Sequence, residues 1–272
     1  MELYINKDTQ LCMSLAARPG NFGTRFHNFL YRELGLNYVY KAFTTRDLAS
    51  AIGGIRALGI RGCAISMPFK EACIEYLNEL DASAKGIMSV NTIVNTDGYL
   101  KAYNTDYTAV YQLLKSSEIP PHVDFALKGS GGMAKAVACA LRDTGWTNGL
   151  IVARNEAAGT ALAQQYGFRW TKQLADEKPG LLINVTPVGM AGGAEADQLA
   201  FSEDLVRSAQ FVFDVVALPP ETPLIRLATS LGKKTITGAQ VIALQAVEQF
   251  ALYTGVRPGA ELIEKAAAFA RG

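Results

Sequence analysis

Histidine is nearly absent from this chain of 272 residues, which holds only His27 and His122. The four cysteines, Cys12, Cys63, Cys73 and Cys139, are scattered, with no CxxC pair and no neighbouring histidine. A Cys/His metal site needs several such ligands at short, fixed spacing, so no metal is expected. The same scatter points to reduced thiols in a cytoplasmic protein rather than a disulfide framework. Excess charge of one sign is missing too: 26 Lys and Arg against 25 Asp and Glu leave a formal net charge of +1. Nucleic acid and acidic membrane surfaces are held by clustered positive charge, so neither is an expected partner. No basic segment followed by an apolar one opens the chain, and no secretory signal is expected. The most apolar windows, 181–192 and 210–219, are too short to span a bilayer and are interrupted by Asn, Asp or Pro. Internal repeats and low-complexity tracts are also missing.

What is there is a chain 49% hydrophobic, long enough for one large domain or two modest ones. Strand-like and helix-like segments alternate. Tyr38–Phe43 reads as a strand, Arg46–Leu58 as a helix, Arg61–Ser66 as a short strand and Phe69–Leu80 as an amphipathic helix. Asn91–Val94 and Tyr99–Ala102 read as a hairpin turning at Asp97–Gly98, and Tyr107–Lys115 as a helix. Strands follow at 123–128, 149–153, 180–184, 210–216 and 234–237, with helices at 132–144 and 156–166. Such alternation implies a parallel sheet covered by helices on both faces. Beyond Gln240 the chain is helix-like and Ala-rich. The loosest stretch, Ser116–Pro121, carries two prolines, and a domain boundary is expected close by.

A strand runs into Gly129-Ser130-Gly131-Gly132, and a helix begins at once through Met133 and Ala134. Gly129, Gly131 and Ala134 satisfy the G-x-G-x-x-G/A dinucleotide fingerprint in its strand–turn–helix context. The first glycine permits the tight turn and the second admits a pyrophosphate to the backbone. Ala134 permits close packing, and the helix N–H groups face the phosphates. The next strand ends in Arg154-Asn155-Glu156. An acid there suits the ribose 2′-hydroxyl of NAD, whereas Arg154 suits the 2′-phosphate of NADP. NADP is therefore the expected cofactor, with NAD the alternative that Glu156 keeps open, since no second base follows until Arg169. Asn184–Met190 follows a buried strand at the sheet's carboxyl edge and reads either as a ligand-side loop or as a plain turn.

In the first half, Pro68 marks a helix start, which puts Lys70 in a first turn, where the macrodipole disfavours cations and lowers a lysine pKa. That suits acid–base work; the competing reading sends Lys70 into solvent or onto Glu71 or Glu75. Asp106 stands just before the helix 107–115, where it reads as an N-cap. It also joins Asn91, Thr92 and Asn104 as polar residues at the ends of short strands, a pattern fitting a polar ligand site.

The ordered set of motifs resembles the shikimate/quinate dehydrogenase family, closest to its shikimate dehydrogenase-like branch. Ser66-Met67-Pro68-Phe69-Lys70 resembles the family's catalytic lysine segment, and Ser89–Val94 and Asn104-Thr105-Asp106 its substrate-binding segments. GSGGMAKA at 129–136 resembles the cofactor turn and NVTPVGM at 184–190 the nicotinamide-side loop; Asp214 with Thr222-Pro223, and Gly238 with Gln245, complete the pattern.

The resemblance implies an α/β protein of two lobes: an α/β substrate domain of residues 1–106 plus 239–272, and a Rossmann-type, doubly wound NADP-binding domain of residues 107–238, with substrate in the intervening cleft. It implies an NADP-dependent oxidation of the shikimate C3 hydroxyl to 3-dehydroshikimate, in aromatic amino acid biosynthesis, by a monomer or homodimer. Lys70 and Asp106 would be the catalytic pair. Asn21, Ser66, Asn91, Asp106 and Gln245 would hold the cyclic hydroxy-acid. Gly129, Ser130, Gly131, Gly132, Met133, Ala134, Arg154, Asn155, Thr186, Gly189, Met190, Asp214 and Gly238 would hold the cofactor. The chain departs from the pattern where Asn21 and Gly23 replace a pair of serines that grip the substrate carboxylate. Ala64 stands for an Asn, Ser66 for a Thr and Ala217 for a Tyr, and the later basic partner of Arg154 is Ala158. Quinate or another ring acid is the alternative substrate, and a non-catalytic NADP and metabolite sensor the alternative class.

Overall fold

The computed structural model describes residues 5–272, which form two compact units. The first comprises the residues up to Thr105 together with Ala243–Gly272, and the second Asp106–Ile242. The proline stretch Ser116–Pro121 lies inside the second unit rather than at the junction.

The first unit is built on a six-stranded sheet. Its strands are β1 (Gln10–Leu15), β2 (Tyr38–Phe43), β3 (Gly62–Ile65), β4 (Glu79–Leu80), β5 (Thr92–Thr96) and β6 (Tyr99–Tyr103), in the order β2-β1-β3-β5-β6-β4. β1 runs parallel to β2 and β3, whereas β5 is antiparallel to β3 and β6, so this sheet is mixed. β5 and β6 form a hairpin whose turn holds Asp97 at φ 50° and Gly98 at φ 86°, the left-handed pair such a two-residue turn requires.

Helix α1 (Phe22–Glu33) packs with α10 (Gly238–Thr254) and α11 (Ala260–Arg271) over a core of Phe26, Leu30, Tyr31, Tyr40, Phe250 and Tyr253. Gly62 admits the Tyr253 ring to the sheet, since a Cβ there would come within 2.2 Å of it. A second core gathers Ile52 and Ile55 of α2 (Leu48–Ala57) with Cys63, Ile65, Ile93 and Leu100.

The amphipathic helix expected over Phe69–Leu80 does not form. It lasts one turn as α3 (Phe69–Ala72), passes through a 3-10 turn at Ile74–Tyr76 and enters β4, ahead of the short α4 (Ala82–Lys85). The free edge of β6 wins: Asn78 N donates to Leu100 O at 3.0 Å and Asp81 N to Ala102 O at 2.8 Å. Phe69, Ile74, Tyr76, Leu77 and Leu80 still reach the core, so the apolar spacing was real but served another backbone.

The second unit opens with α5 (Thr105–Ser116) and contains six parallel strands: β7 (Phe125–Lys128), β8 (Gly149–Val152), β9 (Arg169–Thr171), β10 (Leu181–Asn184), β11 (Phe211–Asp214) and β12 (Lys234–Thr237). Their order, β12-β11-β10-β7-β8-β9, is the doubly wound 3-2-1-4-5-6 pattern of the Rossmann fold. Helices α6 (Gly132–Asp143), α7 (Glu156–Tyr166), α8 (Glu203–Ser208) and α9 (Pro223–Ser230) connect them. The four inner strands, β7, β8, β10 and β11, are buried nearly throughout, as strands covered on both faces are.

Candidate functional site

Strand order reverses between β7 and β10, and ligands of doubly wound sheets bind at the carboxyl ends of strands at such a point. A pocket of about 420 Å³ lies there, lined by the ends of β7, β8 and β10 and the turns that follow. Of the sequence-predicted cofactor residues, Gly129, Ser130, Gly131, Arg154, Asn155 and Thr186 line it.

Gly129 has φ +130°, and a Cβ on it would come within 2.7 Å of Val185 Cγ2, so only glycine fits. Gly131 has ordinary dihedrals and open space where a Cβ would stand. Its bareness serves no protein packing, as expected of a backbone kept clear for a ligand. Gly132 and Met133 form the first turn of α6, and Ala134 is fully buried beneath it.

The loop after β10 is held by Asn184. Its amide donates to Val188 O at 3.2 Å and Asp214 Oδ1 at 3.0 Å, while its oxygen accepts from Thr186 N and the Thr186 hydroxyl. Asp214 is fully buried, accepting also from Val216 N at 3.0 Å and from the Thr222 hydroxyl at 2.6 Å. Burial raises its pKa, against these hydrogen bonds. Thr222 in turn caps α9 at Ile225 N. Asp214 therefore pins loops together rather than facing the pocket. Gly189 and the exposed Met190 lie in the same turn, and Gly238 lets the chain cross Val216, whose carbonyl would stand 2.3 Å from a Cβ. Asn155 caps α7, accepting from Ala158 N at 3.0 Å. Lys128, Lys172 and Glu195 also line the pocket and were passed over in the sequence. Burial lowers the Lys128 pKa.

In the first unit, one sheet edge gathers the other candidates. Asn21 stands exposed at the start of α1, without a side-chain capping bond. Ser66 N donates to Leu15 O at 2.9 Å, Ala17 N to Met67 O at 3.1 Å, and Val90 N to Lys70 O at 2.8 Å. The lysine segment is thereby tied to the end of β1 and to the approach of β5. Lys70 is half-buried. A single helical turn carries no macrodipole of consequence, so the dipole argument for Lys70 lapses with the expected helix.

Asn91 is buried at the centre of this edge. Its oxygen accepts from Thr105 N at 2.7 Å and from the Thr92 hydroxyl at 2.8 Å, and its amide donates to the Thr105 hydroxyl at 2.9 Å. Asn104 donates to Ser89 O at 2.9 Å. The helix α5 begins at Thr105, so Asp106 lies within its first turn instead of capping it, and is buried. Behind Asn91 stands Gln249, whose amide donates to Thr92 Oγ1 at 3.1 Å and to Asn91 O at 3.3 Å. The predicted Gln245 lies one turn earlier on α10, half-buried. The i, i+4 spacing of the two glutamines was the available signal for Gln249.

A family model described as the shikimate dehydrogenase substrate binding domain matches residues 22–93, which include Ser66, Lys70 and Asn91. A shikimate dehydrogenase-like protein of Haemophilus influenzae is 56% identical over 267 residues, 98% of either chain. The chain belongs to the shikimate dehydrogenase family. A solved shikimate 5-dehydrogenase-like protein, 55% identical, superposes with a TM-score of 0.96 over 99% of this chain and 100% of its own. The Thermus thermophilus shikimate 5-dehydrogenase solved in complex with NADP(H) and shikimate is 28% identical, with a TM-score of 0.85 over 96% and 99% of the two chains. The mixed sheet carrying Lys70 and the doubly wound sheet carrying Gly129 are thus the architecture of solved shikimate dehydrogenases. Among the described residues no helix is long and apolar enough to cross a membrane, and no cluster of His, Cys, Asp and Glu could hold a metal.

Proposed function

We propose that this shikimate dehydrogenase family member is an NADP-dependent oxidoreductase that interconverts shikimate and 3-dehydroshikimate. The observation that carries the reading is the edge of the first sheet. There the Lys70 segment, Asn91 and Thr105, the residue before Asp106, are joined by backbone and carboxamide hydrogen bonds. A lysine and a carboxylate held on fixed backbone are what oxidation of a ring hydroxyl needs. The pocket at the switch point supports the cofactor half, because Gly131 leaves its backbone bare and Arg154 offers a cation there.

Lys70 takes the proton of the substrate hydroxyl through its Nζ during oxidation and returns it during reduction. Asp106 orients and polarises that hydroxyl. Asn91 acts through Thr105, fixing the start of α5 and with it Asp106. A dinucleotide held at Gly131 and Arg154 would supply the hydride acceptor for the carbon bearing the hydroxyl. Thr186, on the loop pinned by Asn184, keeps the pocket wall in place.

A second reading, a dehydrogenase of quinate or another ring acid, rests on the two positions where the family carries serines. Asn21 is exposed, and at Gly23 a Cβ would press the Tyr40 hydroxyl at 3.3 Å. The family's carboxylate grip is therefore lost or rebuilt in this chain. Initial rates of nicotinamide reduction with shikimate and quinate, each paired with NADP and NAD, test both readings. Rapid NADP-dependent oxidation of shikimate is expected. Faster turnover of quinate would favour the second reading, and no turnover of either acid would overturn the first.

A further inference from the structure

Two exposed cations, Arg154 and Lys172, line the second unit's pocket. Arg154 follows β8 and Lys172 follows β9. These strands are parallel neighbours, with Val152 opposite Thr171 and Ala153 N donating to Thr171 O at 3.1 Å. Residues 154 and 172 therefore leave the sheet at the same carboxyl edge, and both line the pocket. Neither makes a hydrogen bond or ion pair to any of the described residues, and both are exposed to solvent.

The remaining charges nearby are otherwise engaged. The Lys128 ammonium donates to the Ala200 carbonyl and stands 5.7 Å from the centroid of the Phe201 ring, attracted by Glu195 and repelled by Arg154. Arg169 opens β9 at the opposite edge of the sheet, where it reaches Asn148 Oδ1 at 3.5 Å. Glu156 begins α7 and does not line the pocket.

We propose that Lys172 is a cofactor-specificity residue, which with Arg154 forms a two-cation clamp for a phosphate monoester on the adenosine 2′ oxygen. The inference rests on the dinucleotide reading of the pocket. A phosphate monoester carries close to two negative charges at neutral pH, so a lone guanidinium leaves about half of it uncompensated. Arginine offers a planar fork that grips two phosphate oxygens, and lysine adds a compact point charge from the adjacent strand. The start of α7 has no second base to contribute. Its residue at that place is Ala158, whose N–H is already taken by Asn155. The missing charge is supplied across the β8–β9 pair instead.

Calorimetric titration of the full chain with NADP, NAD, adenosine 2′,5′-bisphosphate and adenosine 5′-monophosphate tests this without turnover. In Lys172→Gln, affinity for NADP and the bisphosphate should fall about 10- to 100-fold, while NAD and the monophosphate change less than about twofold. The loss should shrink as salt is raised, because exposed charges are screened. Lys172→Arg should keep the preference, and Arg169→Gln should not disturb it. Unchanged NADP affinity in Lys172→Gln, in a parent that binds NADP, would overturn the clamp alone. A parallel loss of NAD would also overturn it, marking a general role. A parent that binds neither dinucleotide would overturn the cofactor reading, and the clamp with it.

Discussion

The Asn91 carboxamide and Thr105 are joined twice, by the Thr105 N–H to Asn91 Oδ1 at 2.7 Å and by Asn91 Nδ2 to the Thr105 hydroxyl at 2.9 Å. Both groups are buried. The pair closes the start of α5 onto β5, and Asp106 is the next residue. In the family pattern Asn91 is a substrate ligand; its oxygen here accepts from Thr105 N and the Thr92 hydroxyl, so whatever its amide contacts it also positions Thr105. Asn91→Ala should leave the Thr105 N–H without a partner and cost about 1–3 kcal/mol of stability. Turnover should fall by more than substrate affinity, since Asp106 is misplaced rather than removed. Denaturant unfolding together with separate kcat and KM values would show it. A loss confined to KM would show that Asn91 acts as a direct ligand and not through Asp106.

Lys70→Ala should reduce turnover by roughly 10²- to 10⁴-fold, the range for loss of a general acid–base. Dinucleotide affinity should be unchanged, because the pocket is lined by residues of the second unit alone. Single-turnover rates and cofactor titration separate the two effects. Equal rates in variant and parent would remove Lys70 from the proton-transfer step.

Five of the six strands of the second sheet were legible, β7, β8, β10 and β11 as short apolar runs, and the glycine turn fixed where the series begins; β9, with Arg169, Trp170 and Thr171 alone, carries no such signal. Unit one was harder. Gln10–Leu15 carries the central parallel strand β1, yet its alternation is weak, and Asn21 gives α1 no side-chain cap to mark the start. At Phe69–Leu80 the helical spacing misled because a free strand edge, invisible in local sequence, took the backbone. Lys172 was missed for a related reason. It lies 18 residues from Arg154 along the chain and comes beside it only through β9, a strand of three residues. Gln249 was hidden by Gln245, the residue the family pattern names.

His27 is fully buried and stacked 4.5 Å from the Tyr40 ring, with the Gln249 side chain a polar neighbour that offsets part of the burial. Burial pushes its pKa down from 6.5 to about 3. The groups around it, Tyr31, Tyr40 and Tyr253, have phenols that burial holds in the neutral form. Above pH 6.5 the imidazole is neutral folded or unfolded, and its contribution is complete. As the pH falls from 6.5 towards 3 the unfolded chain takes up a proton that the folded chain refuses, so stability declines. Between pH 7 and pH 5 the loss from this residue should be about 2 kcal/mol. Urea unfolding at both pH values, compared with His27→Gln, isolates the effect. An identical pH dependence in the two proteins would show that His27 is not its source.

All four cysteines are free and buried. Burial pushes the thiols of Cys12 and Cys73 up to about 12 and that of Cys139 up to about 11, while Cys63 is raised well above its ordinary value. Thiolate is the reactive form, so the native protein should be inert to a thiol-specific reagent at pH 8. Denaturation should release four reactive groups. A rapidly reacting thiol in the native state would identify a site that opens locally.

Gly129 and Gly131 stand two residues apart in one turn, and their bareness has different causes. At Gly129 a Cβ meets Val185 Cγ2 at 2.7 Å and the φ of +130° is strained for any L side chain. Gly129→Ala should therefore lower stability, by about 1–3 kcal/mol. At Gly131 the dihedrals are ordinary and nothing lies within 4 Å of a Cβ. Gly131→Ala should fold as the parent does, since the methyl enters open pocket. If a pyrophosphate occupies that space, the same methyl should weaken dinucleotide binding at least tenfold, the order of a lost hydrogen bond to a charged group. Thermal unfolding and cofactor titration of the two variants give opposite patterns on this account. A Gly131→Ala protein that binds dinucleotide normally would mean that the phosphates do not pass over this turn.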